Sequence, residues 1–135
     1  MYKNILVPVA LDHEHDTSIS LNIARRLLAD GGMITALHVI EGIPQFAAVY
    51  LPEDYKDKQQ SAALEHLKSE LGEAQDVSCD VVTGHAGRTI HEYAEKLGAD
   101  CIVVASHRPG FKDHFLGSTA AWVVRHSSCA VHVLK

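Results

Sequence analysis

The longest apolar runs of this 135-residue chain fall well short of the roughly 20 residues that a bilayer-spanning helix needs, so no membrane insertion is expected. Cysteine is scarce: Cys79, Cys101 and Cys129 stand far apart with no C-x-x-C spacing. That pattern suits reduced thiols in apolar or small-residue surroundings and argues against a disulfide framework or a zinc ribbon. Positive charge is in deficit, with 12 Lys and Arg scattered among 17 Asp and Glu for a net charge of −5. Without a basic stripe, nucleic acid is not an expected partner. The opening "MYKNILVPVA" has one lysine and an apolar run too short for a signal peptide, which points to the cytoplasm.

Three catalytic or phosphate-binding signatures are missing as well. There is no GxxxxGK[ST] and no GxGxxG after the first apolar run, so a P-loop enzyme and a typical dinucleotide dehydrogenase are both disfavoured. No G-x-S-x-G elbow occurs, and Ser106 with His107 is a sequential pair whose side chains need not meet. No catalytic residue is assigned, and an ATPase would have only Asp12, Glu41 or Asp113 as local acids. At most weak ATP hydrolysis is expected.

What is present is a rhythm. "NILVPV" reads as a strand buried on both faces, with Pro8 near its end. The spacing of Ile19, Ile23, Ala24, Leu27 and Leu28 predicts a helix started at Asp16 or Thr17 and ended by Gly31 and Gly32. "MITALHVIE" is a second strand, followed by a loop with the apolar patch "FAAVYL". A helix over 53 to 71, the strand "VSCDVVTG", the helix "RTIHEYAEKLG", the strand "CIVVA", the helix "STAAWVVRH" and the strand "AVHVLK" complete the order. Five strands alternating with four helices predict one α/β domain over residues 1 to 135: a doubly wound, five-stranded parallel sheet with helices on both faces.

Such a sheet binds ligands at the carboxyl ends of its strands. The strand "CIVVA" runs there into "ASHRPG", where Ala105 and Ser106 let a ligand approach the backbone and Gly110 can take a positive φ. Gly117, Ser118 and Thr119 then open a helix whose N-terminal N–H groups and dipole suit an anion, with His107 or Arg108 able to add charge-assisted contacts. Each piece alone reads equally as an ordinary turn or cap; together, after a buried strand, they form a candidate phosphate cradle.

Histidine is abundant, with 10 in the chain. "DHEHD" at 12 to 16 alternates imidazoles with carboxylates, but a solvated loop before a helix explains it, and no metal ligand is assigned. His38 and His132 fall in strands and are expected to be hydrogen-bonded structural residues, His66 and His91 to be exposed on helices, and Trp122 to pack in the core. The final strand should lie at a sheet edge, needing cover that a second copy would supply. The loop containing "IPQFAAVYLPEDY" is a candidate lid or dimer contact.

Along its whole length the chain resembles the universal stress protein family, in "NILVPV", "LHVIE", "GRTIHEYAEKLGADCIVVASHRPG" and "FLGSTAAWVVRHSSCAVHVL". The resemblance implies ATP binding, possible Mg²⁺ bridging of the phosphates, a homodimer through the strand at 130 to 134, and a regulatory protein partner. The base would lie near Pro8, Val9, Ala10 and Val39, and the ribose and phosphates along Ala105, Ser106, His107, Arg108 and Gly110 to Gly117, Ser118 and Thr119. Nucleotide-binding members carry glycines where Ala105 and Arg108 stand here and an aspartate where Ala10 stands, and the gap from Arg108 to Gly117 is one residue short. "ASHRP" resembles a subgroup of short bacterial members that still bind ATP. The alternative is a member without nucleotide that acts as a dimeric scaffold; a flavoprotein, ligase or hydrolase of the same architecture is the weakest reading.

Overall fold

The computed structural model describes residues 1–11, 16–72, 74–106 and 116–135. Five strands, β1 (Tyr2–Pro8), β2 (Leu28–Ile40), β3 (Val77–Thr83), β4 (Cys101–Ala105) and β5 (Ala130–Leu134), form one sheet in the order β3-β2-β1-β4-β5. All pairings are parallel. The helices are α1 (Thr17–Leu27), α2 (Gln45–Ala48), α3 (Tyr55–Leu71), α4 (Ala86–Leu97) and α5 (Ser118–His126). The chain is therefore the doubly wound α/β domain that the alternation predicts, with one short helix, α2, in what reads from sequence as loop.

Strand side chains alternate between faces, and each face has its own core. Ile5, Val7, Ile34, Ala36 and Val103 pack with Leu21 and Ala24 of α1 and Leu67 of α3. Leu6, Leu37, Ile102 and Val104 pack with Ile90 and Ala94 of α4 and Ala120 and Val123 of α5. Cys101 is buried, Cys79 and Cys129 are partly buried, and all three are free thiols. Burial, with smaller contributions from Cys129 and Asp100, pushes the Cys101 thiol up to about 11.

The first crossover departs from the sequence reading. Helix α1 stops at Leu27, because Leu28 takes extended geometry and pairs with Tyr2. Gly31 and Gly32 belong to β2, where the register jumps between Tyr2↔Leu28 and Asn4↔Met33. Gly31 has φ 79°, and a Cβ on Gly32 would lie 2.9 Å from the Lys3 carbonyl oxygen. The glycines thus allow an irregularity in the ladder. Asp16 supplies the N-cap, its carboxylate accepting from the Ser18 N–H at 3.0 Å. Ile19, read as part of the buried stripe, is exposed, and Leu21 is buried in its stead.

The two edges of the sheet differ. At β3 the Val81 carbonyl accepts from Gln60 Nε2 of α3 at 2.7 Å, and the Val81 N–H donates to Asp80 Oδ1 at 2.8 Å. Asp80 is held in turn by the Tyr93 hydroxyl at 2.9 Å. Burial and this neighbouring carboxylate push the Tyr93 phenol up to about 12. At β5 the Leu134 carbonyl accepts from the Ser106 N–H at 2.7 Å, so Leu134 faces β4 and the alternation turns the backbone groups of Val131 and Val133 outward. Among the described residues no side chain bonds to them.

Candidate functional site

Strand β1 pairs with β2 on one side and β4 on the other, so β1 and β4 flank the point where crossovers diverge to opposite faces. At the carboxyl end of β4, Ser106 is buried and held by its backbone from two directions. Its N–H donates to Leu134, continuing the ladder, and its carbonyl accepts from the Gly117 N–H. The second bond joins the two segments that sequence places a dozen residues apart. It brings the start of α5 beside the end of β4.

Gly117 is the N-cap of α5, and no side chain caps this helix. The contrast with its neighbours is chemical: α1 is capped by Asp16 and α4 by His85, whose ring nitrogen accepts from the Arg88 N–H at 3.3 Å. The first intrahelical bond of α5 runs from the Ala121 N–H to the Gly117 carbonyl at 2.8 Å, leaving the N–H groups of Ser118, Thr119 and Ala120 without an acceptor in the helix. Three such donors at the positive end of a helix dipole fit an anionic oxygen. Ser118 is exposed and Thr119 half-buried.

The other wall is the end of β1. The Val9 N–H donates to the Leu37 carbonyl at 2.8 Å, extending the β1–β2 ladder past Pro8. The Val9 carbonyl accepts from His38 Nδ1, also at 2.8 Å, which fixes the His38 tautomer and pins the start of the following loop. His38 is therefore the hydrogen-bonded structural histidine expected of it. The side chain of Val9 joins the core beneath α1 and α3, while that of Val39 joins the core beneath α4 and α5. Those two side chains are not brought to one face; only the backbone of the two strand ends is available to a common ligand. Ala10 is exposed and presents a methyl group there. Of the other predicted site residues, Pro8 and Ala105 are half-buried at the ends of β1 and β4. His107, Arg108 and Gly110 lie outside the described residues, as do Asp12, His13, His15 and Asp113.

The model of the Universal stress protein family matches residues 1–135. The chain belongs to this family. Universal stress protein G of Escherichia coli O157:H7 is 30% identical over 142 residues, covering 100% of both chains. Among solved structures, the hypothetical protein MJ0577 superimposes with TM-score 0.79 at 27% identity, over 100% of this chain and 96% of that one. Universal stress protein UspA from Lactobacillus plantarum gives 0.71 at 26% identity, over 99% and 98%. More distant universal stress proteins of the same fold, at 18% and 16% identity, have been solved in complex with cAMP and with dAMP.

Sequence reasoning missed the surroundings of Trp122. This universal stress protein has its one tryptophan half-buried on the α4–α5 face and stacked on His126, with ring centroids 3.7 Å apart, instead of in the core. His91 and His85 approach the same ring at 5.8 and 6.3 Å. His91 and His66, expected to be exposed, are half-buried, and each faces a glutamate one turn on, at 3.3 and 3.5 Å. Among the described residues no group of three or more His, Cys, Asp or Glu is placed to hold a metal ion. No helix among them is long and apolar enough to cross a membrane.

Proposed function

We propose that this universal stress protein binds ATP at the carboxyl ends of β1 and β4 and acts as a nucleotide-dependent regulatory module in the stress response, without an efficient reaction of its own. One observation carries the reading: α5 begins beside Ser106 with no side-chain cap among the described residues, and three N–H donors at the positive end of its dipole have no acceptor among them. Phosphate oxygens lie along Ser106 and Gly117 to Thr119, with His107, Arg108 and Gly110 completing the cradle. The backbone at Val9 and Val39 borders the base. Magnesium would offset the charge of the phosphates, and no residue of this chain is assigned as its ligand. The complexes of distant family members with cAMP and dAMP support an adenine nucleotide as the ligand class.

The working form is a cytoplasmic homodimer joined through β5. The outward N–H and C=O groups of Val131 and Val133 favour that edge over β3, where Gln60 and Asp80 have taken the backbone of Val81. The dimer offers a surface to a regulatory protein partner.

The experiment is mass spectrometry of nucleotide released on denaturing freshly purified protein, with calorimetric titration of ATP, ADP and AMP. Copurified ATP and preference for the triphosphate are expected, and Gly117→Trp should abolish binding while Tm stays near the parent's. A second reading, an adenine-free dimeric scaffold, is favoured by the exposed methyl of Ala10 where an acid would contact the nucleotide. It predicts no binding and an intact dimer.

A further inference from the structure

Between β2 and α3 the chain forms a strap at the mouth of the same crevice. It leaves β2 at Ile40, three residues beyond Leu37, the partner of Pro8, and turns once as α2 before α3 begins at Tyr55. Its backbone bonds are internal: Ala47 and Ala48 donate to Pro44, Tyr50 to Ala47 and Leu51 to Ala48. Among the described residues none ties residues 43 to 51 to another element. Phe46, Val49 and Tyr50 follow i, i+3, i+4 spacing and so share one face of the turn. They are 78%, 77% and 86% exposed, with Met1 the four most exposed large apolar side chains among the described residues. Neither ring touches another aromatic group among the described residues.

We propose that this strap closes over the crevice and lays the ring of Phe46 or Tyr50 on the purine base of the bound nucleotide, a reading that rests on the ATP site proposed above. Three features select a base as the occupant. The strap is covalently rooted at the strand ends whose backbone borders the base position. Those strand ends supply an edge but no side-chain platform, since Val9 and Val39 point into opposite cores. A flat, uncharged ring is the complement of a base face, and both the strap's aromatic groups are free of other work. With no bond to the rest of the fold to break, closure costs little beyond ordering the strap itself. Gly42, where an added Cβ would meet nothing within 4 Å, and Pro44 bound the hinge on the β2 side.

Chymotrypsin cleaves after exposed aromatic residues and reads the strap directly. Saturating ATP should slow cleavage after Phe46 and Tyr50 severalfold, and inorganic tripolyphosphate, which has no base, should not. The double variant Phe46→Ala/Tyr50→Ala should lose about five- to hundredfold in ATP affinity and keep the parent's affinity for tripolyphosphate. Both residues are exposed, so Tm should stay within a few degrees of the parent. Unchanged cleavage with ATP bound, or parental ATP affinity in the double variant, overturns the strap and leaves the site standing. A parent that binds no adenine nucleotide overturns both. Protection that follows protein concentration and not ATP assigns the face to a second copy and likewise overturns it.

Discussion

Gly87 of α4 lies so close to Trp122 of α5 that a Cβ added to the glycine would stand 2.7 Å from the tryptophan Cβ and 2.8 Å from its Cγ. The two helices cover one face of the sheet at a separation that only hydrogen allows.

Gly87→Ala should therefore destabilise the protein even though alanine is the better helix former. Overpacking costs about 1–3 kcal/mol, against roughly 1 kcal/mol gained from propensity. The expected result is a Tm lowered by a few degrees with a shift in the Trp122 emission maximum, followed by thermal unfolding under both fluorescence and circular dichroism. An unchanged or raised Tm would show that α5 yields at this contact at no cost.

At the amino end of the sheet, Asp100 accepts from the backbone N–H groups of Lys3 at 2.9 Å and Asn4 at 3.0 Å. Desolvation is the largest single influence and would raise its pKa, but the bonds from the Lys3 and Asn4 amides, with its own backbone N–H and the Lys3 charge, together outweigh it and hold the carboxyl below its usual value. A depressed folded pKa means that the contribution is present above the unfolded value near 3.8 and is lost as pH falls through the lower folded one. Urea unfolding of the parent should thus weaken on the acid side below about pH 4, and Asp100→Asn should be less stable at neutral pH with a shallower acid limb. Equal pH slopes for the two proteins would remove Asp100 from the account.

Much of the architecture was open to reading because buried parallel strands leave near-continuous apolar runs, and "NILVPV" and "CIVVA" are such runs. The end of α1 was not, because a Gly-Gly pair looks locally like a helix stop while the pairing of Leu28 with Tyr2 is a contact across 26 positions. Helix α2 is one turn, with Phe46 inside it and Tyr50 just past it both in solvent, so it imposes no periodicity. The candidate cradle shows both sides of this limit. Ser106 and the Gly117 segment each carry a local signal, but only the fold supplies the hydrogen bond between them. The half-burial of Trp122 among three imidazoles was illegible for the same reason, since His85 and His91 arrive on another helix.

Proline at 131 or 133 removes one outward N–H from β5 without touching a bond to β4. Val131→Pro should convert the dimer proposed through β5 to monomer in sedimentation equilibrium while retaining the far-ultraviolet spectrum of the parent. A dimer of unaltered affinity would move the interface away from this edge.

The difference between the two sheet edges also limits how far copies of this chain can add to one another. Once two β5 strands meet, the flank left on either side is β3, where the donor and acceptor of Val81 are already engaged by Asp80 and Gln60 while the same alternation turns Cys79 and Thr83 outward. A third copy adding there would find the ladder broken at Val81, and a continuous one would require first prising Gln60 from that edge.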